Sequence, residues 1–445
     1  MKKRLFSIAS LMLVGLFAQA QEVTFEEYDL DNGLHVILHQ DNTAPVVTTS
    51  VMYDVGGKDL GGNNNPERTG FAHFFEHLLF EGTENIDRGQ WFKIVSANGG
   101  TNNANTSNDR TYYYEVFPSN NLELGLWMES ERMMHPVINQ IGVDTQSEVV
   151  KEEKRQRYDN QPYGQLLFVV SENIFKKHPY KYKNIGEMEH LDAATLDEFK
   201  AYFKKYYVPN NATLVVAGDI DISKTKKMIK DYFGPIPRGK DVVRNFPKED
   251  PITEEFNVKY EDPNIQIPAI IAAYRTPGFT TRDARVLDMI STYLSGGKSS
   301  KLYKRLVDDK KMALAVQAVN FSQKDYGTYA LFALPLGDNT LEGLLAEMDD
   351  EIKMLQTELI SQRDYEKLQN KFENRFVNSN SSVQGIANSL ARYNVMYGDT
   401  NLINTEIDIY RSITREEIKE VANKYLKTNQ RLLLEYVPAE KTEKK

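Results

Sequence analysis

The apolar positions of this chain change period along its length, and those changes mark out its elements. After the turn signal Asp31-Asn32-Gly33, apolar and polar residues alternate from Leu34 to Leu38, which predicts a strand leaving a hairpin turn. Pro45 precedes a second strand-like run, Val46 to Tyr53, and Tyr112-Tyr113-Tyr114 alternates across a third, with core packing as its expected use. Between residues 66 and 82 the period becomes helical, with Asn65 placed as N-cap and Pro66 as the first helical residue. At about 100° per residue, Phe71, Phe74, Phe75 and Leu78 fall on one side of that helix. His73, Glu76 and His77 fall within one third of the circumference on the other. A later helical stripe, Gln146, Val149, Val150 and Glu153, recurs at i, i+3, i+4, i+7 and turns Glu153 inward, while Glu148 and Glu152 point away.

A fixed offset of 219 residues brings two segments into register. Thr195-Leu-Asp-Glu198 opens a helix to Tyr206 and then a strand at Ala212 to Ala217; Thr414-Arg-Glu-Glu417 opens a helix to Tyr425 and then a strand at Leu432 to Val437. Each Thr-x-x-Glu is a capping box, in which the Thr oxygen and the Glu carboxylate satisfy free amides at a helix start. The match predicts a tandem duplication. Strands at the ends of each half and helices at the centre predict an α+β fold, each half a largely antiparallel sheet with helices packed on one face. Residues 234–251 are rich in Pro and charge and are expected to link the halves, so the chain divides into 1–20, 21–233, 234–251 and 252–440.

Composition narrows the setting. The chain has 445 residues, a net charge of −9 and no Cys, which excludes disulfides, thiolate chemistry and a lipid-anchored N-terminal Cys. It has no basic patch for nucleic acid and no later stretch apolar enough to span a membrane. Lys2, Lys3 and Arg4, the apolar run Leu5 to Phe17 and Ala18-Gln19-Ala20 have the order of a cleavable signal peptide. Its removal leaves a chain at −12. Export to the periplasm is the expectation, with the cell surface or the medium as alternatives.

The strongest chemical signal is His73-Phe-Phe-Glu76-His77. Two His at i, i+4 can place ring nitrogens on one metal ion, and the carboxylate between them can touch the metal's water. Zinc chemistry needs a third protein ligand and an open fourth position. Glu153, inward on its stripe, requires a cation, which is either that metal or the Arg or Lys of a buried ion pair. His35 and His39 on a strand, and the single His135, His178 and His190, are expected to be structural. Gly297-Lys298-Ser299 resembles the end of a phosphate loop, but Thr292 stands where its first Gly belongs and the motif fails.

With these residues in view, the chain resembles the pitrilysin or insulin-degrading-enzyme family of zinc peptidases, the inverted zincins. The likeness is to the shorter branch that includes the mitochondrial processing peptidase subunits. In that family H-x-x-E-H is followed about 75 residues later by a Glu in a V-V-x-E-E-like segment; here 75 residues separate His77 from Glu153, within Val149-Val-Lys-Glu-Glu153. Gly70-Phe-Ala-His73, Phe80-Glu-Gly-Thr83, Gly99-Gly-Thr-Asn-Asn-Ala104, Tyr207-Val-Pro-Asn-Asn and Phe233-Gly-Pro-Ile-Pro extend the match over nearly the whole chain after the leader. The resemblance implies Zn2+ held by His73, His77 and Glu153, Glu76 as general base, and Asn103 and Ala104 on an edge strand that pairs with the peptide substrate.

Two departures stand out. Gln146 occupies the place of a second Glu that many members carry seven residues before the ligand Glu, which implies an uncharged neighbour for the metal ligands. Val307 and Leu314 stand where members that act alone carry an Arg and a Tyr reaching the substrate carbonyl. Losing such donors costs about 3 kcal/mol or more of transition-state stabilisation. The combined expectation is an exported zinc endopeptidase that cleaves oligopeptides or unfolded segments in a closed chamber. It would be the zinc-bearing subunit of a heterodimer whose homologous partner lacks the metal motif and supplies the Arg/Tyr pair. The alternatives are a self-sufficient homodimer and a non-catalytic peptide-binding or assembly subunit.

Overall fold

The computed structural model describes residues 22–440, so the signal peptide read in residues 1–20 lies outside the described residues. Strands β1 (Glu26–Asp29), β2 (His35–Gln40), β3 (Val46–Tyr53), β4 (Thr101–Thr106), β5 (Thr111–Pro118) and β6 (Ala212–Gly218) form a sheet in the order β1-β2-β6-β3-β5-β4. Strands β7 (Phe256–Asp262), β8 (Ala269–Pro277), β9 (Ala313–Ser322), β10 (Tyr326–Pro335) and β11 (Leu432–Pro438) form a second in the order β7-β11-β8-β10-β9. Without β1 the two orders correspond strand for strand, including the place of the parallel pair, β2–β6 in one sheet and β7–β11 in the other. All other pairings are antiparallel. Both capping boxes form, at Thr195 with Glu198 and at Thr414 with Glu417.

Each half's own helices pack on one face of its sheet, as expected, and the opposite face is covered by a helix exchanged from the other half. On the first sheet, one face packs against helices of its own half through Phe71, Phe74, Phe75, Leu126, Phe199 and Ile229. The other face, Ile37, Met52, Tyr112, Val215 and Ala217, packs against Ile386, Ala387, Leu390 and Ala391 of helix Val383–Arg392 from the second half. In return, Val169, Val170 and Ile174 of helix Leu166–Ile174 in the first half cover Ile271, Ala273, Leu432 and Leu434 of the second sheet. Burial on both faces explains why β6 reads as a continuous apolar run and is buried at every position.

A polar contact also joins the halves. Lys58, 2% exposed, places Nζ 2.9 Å from Asp109 Oδ1 and 2.7 Å from Asp325 Oδ2. Asp109 lies in the β4–β5 turn and Asp325 in the β9–β10 turn, and the Lys324 amide donates to Asp109 at 3.0 Å. The tip of the second sheet's outer hairpin is thereby fixed against the turn that ends edge strand β4.

One helix boundary and one buried helix face differ from the sequence reading. The His-bearing helix spans Phe71–Leu78, beginning after Gly70 at φ 82°, while Pro66 lies in a preceding turn. A Cβ on Gly70 would come within 2.7 Å of the Gly186 backbone, so this close approach sets the helix start. In helix Gln140–Lys154, capped by Asn139, the buried stripe is Val143, Ser147 and Val150. Val149 is 44% exposed and faces solvent, contrary to the predicted stripe, and Glu153 lies on the stripe's edge rather than its centre.

Candidate metal centre

The His-bearing helix is held at its carbonyls by side chains from three directions. Tyr207 donates its hydroxyl to the Ala72 carbonyl at 3.3 Å, Tyr113 to Phe75 at 2.9 Å, and Arg132 donates Nη1 to Leu79 at 3.1 Å. Arg132 is fully buried and lies between Glu115 at 3.0 Å and Glu129 at 3.1 Å. The rings of Trp91, Tyr113 and Phe80 lie 4.0, 4.3 and 4.5 Å from its guanidinium. Burial, with the Glu129 carboxylate beside it, pushes the Glu115 carboxyl well above the usual carboxylate range despite the Arg132 contact.

On the opposite face of the same helix, His73 and His77 present Nε2 atoms to Glu153, at 3.7 Å from Oε1 and 3.1 Å from Oε2 respectively. One ligand atom from each of the three residues lies within 4.8 Å of the others. Burial works against the Glu153 anion, but hydrogen bonds and charge from the two imidazoles outweigh it and hold the carboxyl well below its ordinary range. Two imidazole nitrogens and a carboxylate oxygen converging in this way match the donor set zinc takes in catalytic sites, where a water completes the shell. The donors therefore fit the metal that the sequence implied.

These groups border a cavity of about 440 Å³ whose walls include Glu76, Asn103, Ala104, Asn105 and Arg157. Glu76 joins the histidines on the cavity side, as their helical spacing requires. Asn103 and Ala104 lie on β4, the outermost strand, whose other edge is open to pair with an added chain. Gln146 differs from expectation: its amide donates to Glu81 at 2.5 Å rather than to a metal ligand. Glu81 also accepts from Arg88, so Gln146 ties the helix to the loop after the motif.

Of the cavity residues not singled out from the sequence, three bear directly on the site. Arg157 places Nη1 2.7 Å from Glu153 Oε1, one turn further along the chain, where the segment Arg155–Asp159 widens into a π-helix. Its i+4 spacing from Glu153 is a signal the sequence carried. Tyr158 lines the cavity beside it. Asn184 donates its amide to the Thr106 carbonyl at 2.9 Å, closing the end of β4, and no local pattern announces that role.

Val307 packs against the second core and Leu314, 48% exposed, lies on β9. Every residue bordering the cavity belongs to the first half. The other histidines are engaged elsewhere: His35 with Asp29, His39 with the Thr24 carbonyl, His135 with Glu84, His178 with Asp325 and His190 with Thr69. No helix among the described residues is long and apolar enough to cross a membrane.

Comparison with known proteins gives a consistent picture. Residues 35–187 match the family model described as insulinase (peptidase family M16), and residues 193–372 match that described as peptidase M16 inactive domain. The Helicobacter pylori protein named zinc protease PqqE is 29% identical over 438 residues, covering 96% of this chain and 97% of its own. The crystal structure of a protease from Helicobacter pylori superposes with a TM-score of 0.87 at 28% identity, over 94% of this chain and 100% of that one. Pitrilysin shares the fold, with a TM-score of 0.74 at 16% identity, over 95% of this chain and 46% of its own.

Proposed function

Because the chain belongs to the insulinase (M16) family of peptidases, we propose that it is a zinc-dependent endopeptidase acting on short or unfolded peptides. The observation that carries this reading is the convergence of His73, His77 and Glu153 within 4.8 Å beside Glu76 and the open edge of β4. His73, His77 and Glu153 would hold the zinc, which when bound would supply Lewis acidity for the attacking water and the scissile carbonyl. Glu76 takes a proton from the attacking water and returns it to the leaving amine as the C–N bond breaks, so hydroxyl ends on the acyl carbon and hydrogen on the amine. The free edge of β4, at Asn103 and Ala104, accepts the substrate as an added strand, with main-chain hydrogen bonds giving affinity largely independent of sequence.

The donor for the developing oxyanion is proposed to come from a second chain. Val307 and Leu314 cannot donate a hydrogen bond, and the cavity borders no second-half residue. A homologous partner that lacks the metal motif and carries the Arg/Tyr pair would complete the site as a heterodimer. One observation favours a second reading, a self-sufficient homodimeric enzyme: Arg157 already brings a guanidinium into the cavity, against Glu153. The leader-like residues 1–20 support a periplasmic location. A quenched-fluorescent peptide assay on the purified chain, with Glu76→Gln as control, tests the activity. Addition of the sister chain tests its division: no greater stimulation than by an unrelated protein sinks the heterodimer. Full activity without it supports the homodimer.

A further inference from the structure

The second half has a cleft of its own between two helices, although edge strand β9 does not line it as β4 lines the metal centre. In the first half, the middle of three helices between β3 and β4, Phe71–Leu78, carries the two histidines, and helix Gln140–Lys154 after β5 carries Glu153. In the second half, the helix between β8 and β9, Arg282–Ser295, ends beside Thr292 and Gly296, and the second helix after β10, Gln362–Ser379, runs against it. Between them lies a cleft of about 650 Å³ bordered by Thr292, Gly296, Lys371, Asn374, Arg375 and Ser379, among others. Each cleft offers two residues at i, i+4, but from different helices: His73 and His77 from the helix before the edge strand, Lys371 and Arg375 from the second helix after β10. The charge is reversed: where the first cleft offers His, His and Glu to a cation, the second offers Lys371 and Arg375.

Neither cation is held in an ion pair among the described residues, although the Arg375 charge reaches Asp288. Asp364 is engaged by Lys301 at 3.0 Å and Glu373 by Arg411 at 2.5 Å. Asp288 accepts from Asn320 at 2.8 Å and Tyr410 at 3.0 Å, and its burial raises its pKa towards the neutral form. Lys371 donates to the Gly296 carbonyl, and Lys367 donates to Ser299 Oγ at 2.6 Å. Among the described residues neither Lys371 nor Arg375 forms an ion pair, in a chain of net charge −9. Burial, Lys367 and Arg375 together lower the Lys371 pKa, as expected for cations held together without an ion pair. The Thr292 hydroxyl and the Asn374 amide border the charge, while the Ser379 hydroxyl donates to the Phe376 carbonyl at 2.8 Å.

We propose that this cleft is an anion site that takes an oxyanion group, a carboxylate or a phosphate, between Lys371 and Arg375. The site is distinct from the metal centre and does not depend on peptidase activity. Isothermal titration of the full-length zinc-loaded chain at low salt, with end-blocked tetraglutamate and with tripolyphosphate as probes, tests it. At least one probe is expected to bind at one site, and its affinity is expected to fall as salt rises. Binding of tetraglutamate in preference identifies a peptide carboxylate as the source, and the reverse identifies a phosphate. Lys371→Gln with Arg375→Gln is expected to weaken binding at least tenfold, Lys371→Arg to retain it, and Ser379→Asp to weaken it by placing a carboxylate in the cleft. His77→Ala, which removes a metal ligand and leaves the cleft, is expected to bind as the parent does. Binding lost in His77→Ala would move the anion to the metal and overturn the proposal. So would a failure of both probes, or parent-like affinity in the double variant.

Discussion

Glu115 is a carboxyl sealed behind the helix that carries His73 and His77, and its replacement tests how that helix is supported. It is fully buried, with Arg132 at 3.0 Å, and burial with its neighbour Glu129 drives its pKa well above the unfolded value. A raised folded pKa means that the native state keeps a proton the unfolded chain releases above pH ~4.3. Glu115 therefore favours folding most at acid pH, and that contribution declines as pH rises until the folded group itself ionises. Glu115→Gln removes the titration while keeping the size and hydrogen-bonding capacity of the side chain. Relative to the parent, the variant is expected to gain about 1.4 kcal/mol of stability per pH unit from pH 5 upward, until the buried carboxyl titrates. Urea unfolding followed by tryptophan fluorescence from pH 5 to 8.5 reads this cleanly. The chain has two Trp, Trp91 and Trp127, both in the first half, and Trp91 lies 4.0 Å from Arg132. A difference between variant and parent that stays constant across that range would refute a protonated Glu115 and leave a fully ionised cluster in its place.

Four further outcomes follow from the geometry. Glu76→Gln is expected to lower kcat by at least a factor of about a thousand while zinc content, read by mass spectrometry, stays at that of the parent. His77→Ala and Glu153→Ala are each expected to lose bound zinc together with activity, whereas Gln146→Ala, which loses only its bond to Glu81, is expected to keep the metal. Ala104→Pro removes a backbone donor from the open strand and is expected to raise KM about tenfold in the peptide assay, with zinc content unchanged. Lys58→Met leaves the buried Asp109 without its cation, beside the more exposed Asp325, and is expected to cost about 3–5 kcal/mol in urea unfolding. Asp109→Asn combined with Lys58→Met should recover part of that loss.

Local signals carried much of this molecule. The phase of His73, Glu76 and His77 followed from helical spacing, and the two capping boxes announced both halves because their partners are three residues apart. What failed depended on neighbours distant in sequence. Pro66 and Asn65 were a plausible helix start, but the close approach of Gly70 to Gly186 moved it. Val149 joined the predicted stripe because an apolar residue at i+3 resembles a core position; the helix rests on its neighbours through the narrower stripe of Val143, Ser147 and Val150. Gln146 found Glu81, 65 residues away, and no spacing rule reaches that far. The exchanged helices were foreshadowed in one respect. Ala212-Thr-Leu-Val-Val-Ala and Ala269-Ile-Ile-Ala-Ala are runs without alternation, the pattern of strands covered on both faces, but nothing in them says which half supplies the cover.

That exchange has a consequence for the ancestry and the integrity of the chain. Two sheets, each roofed by the other's helix, have the form of a domain-swapped dimer whose protomers have been joined end to end by the stretch around residues 234–251. In such an arrangement the covalent join raises the local concentration of the halves but is not what holds them. Each half made alone would leave a sheet face of Ile, Val, Leu and Ala side chains bare to water, a surface prone to aggregate. A nick in the join would leave the halves interlocked by Val383–Arg392 and Leu166–Ile174, and the cut chain would travel as one particle.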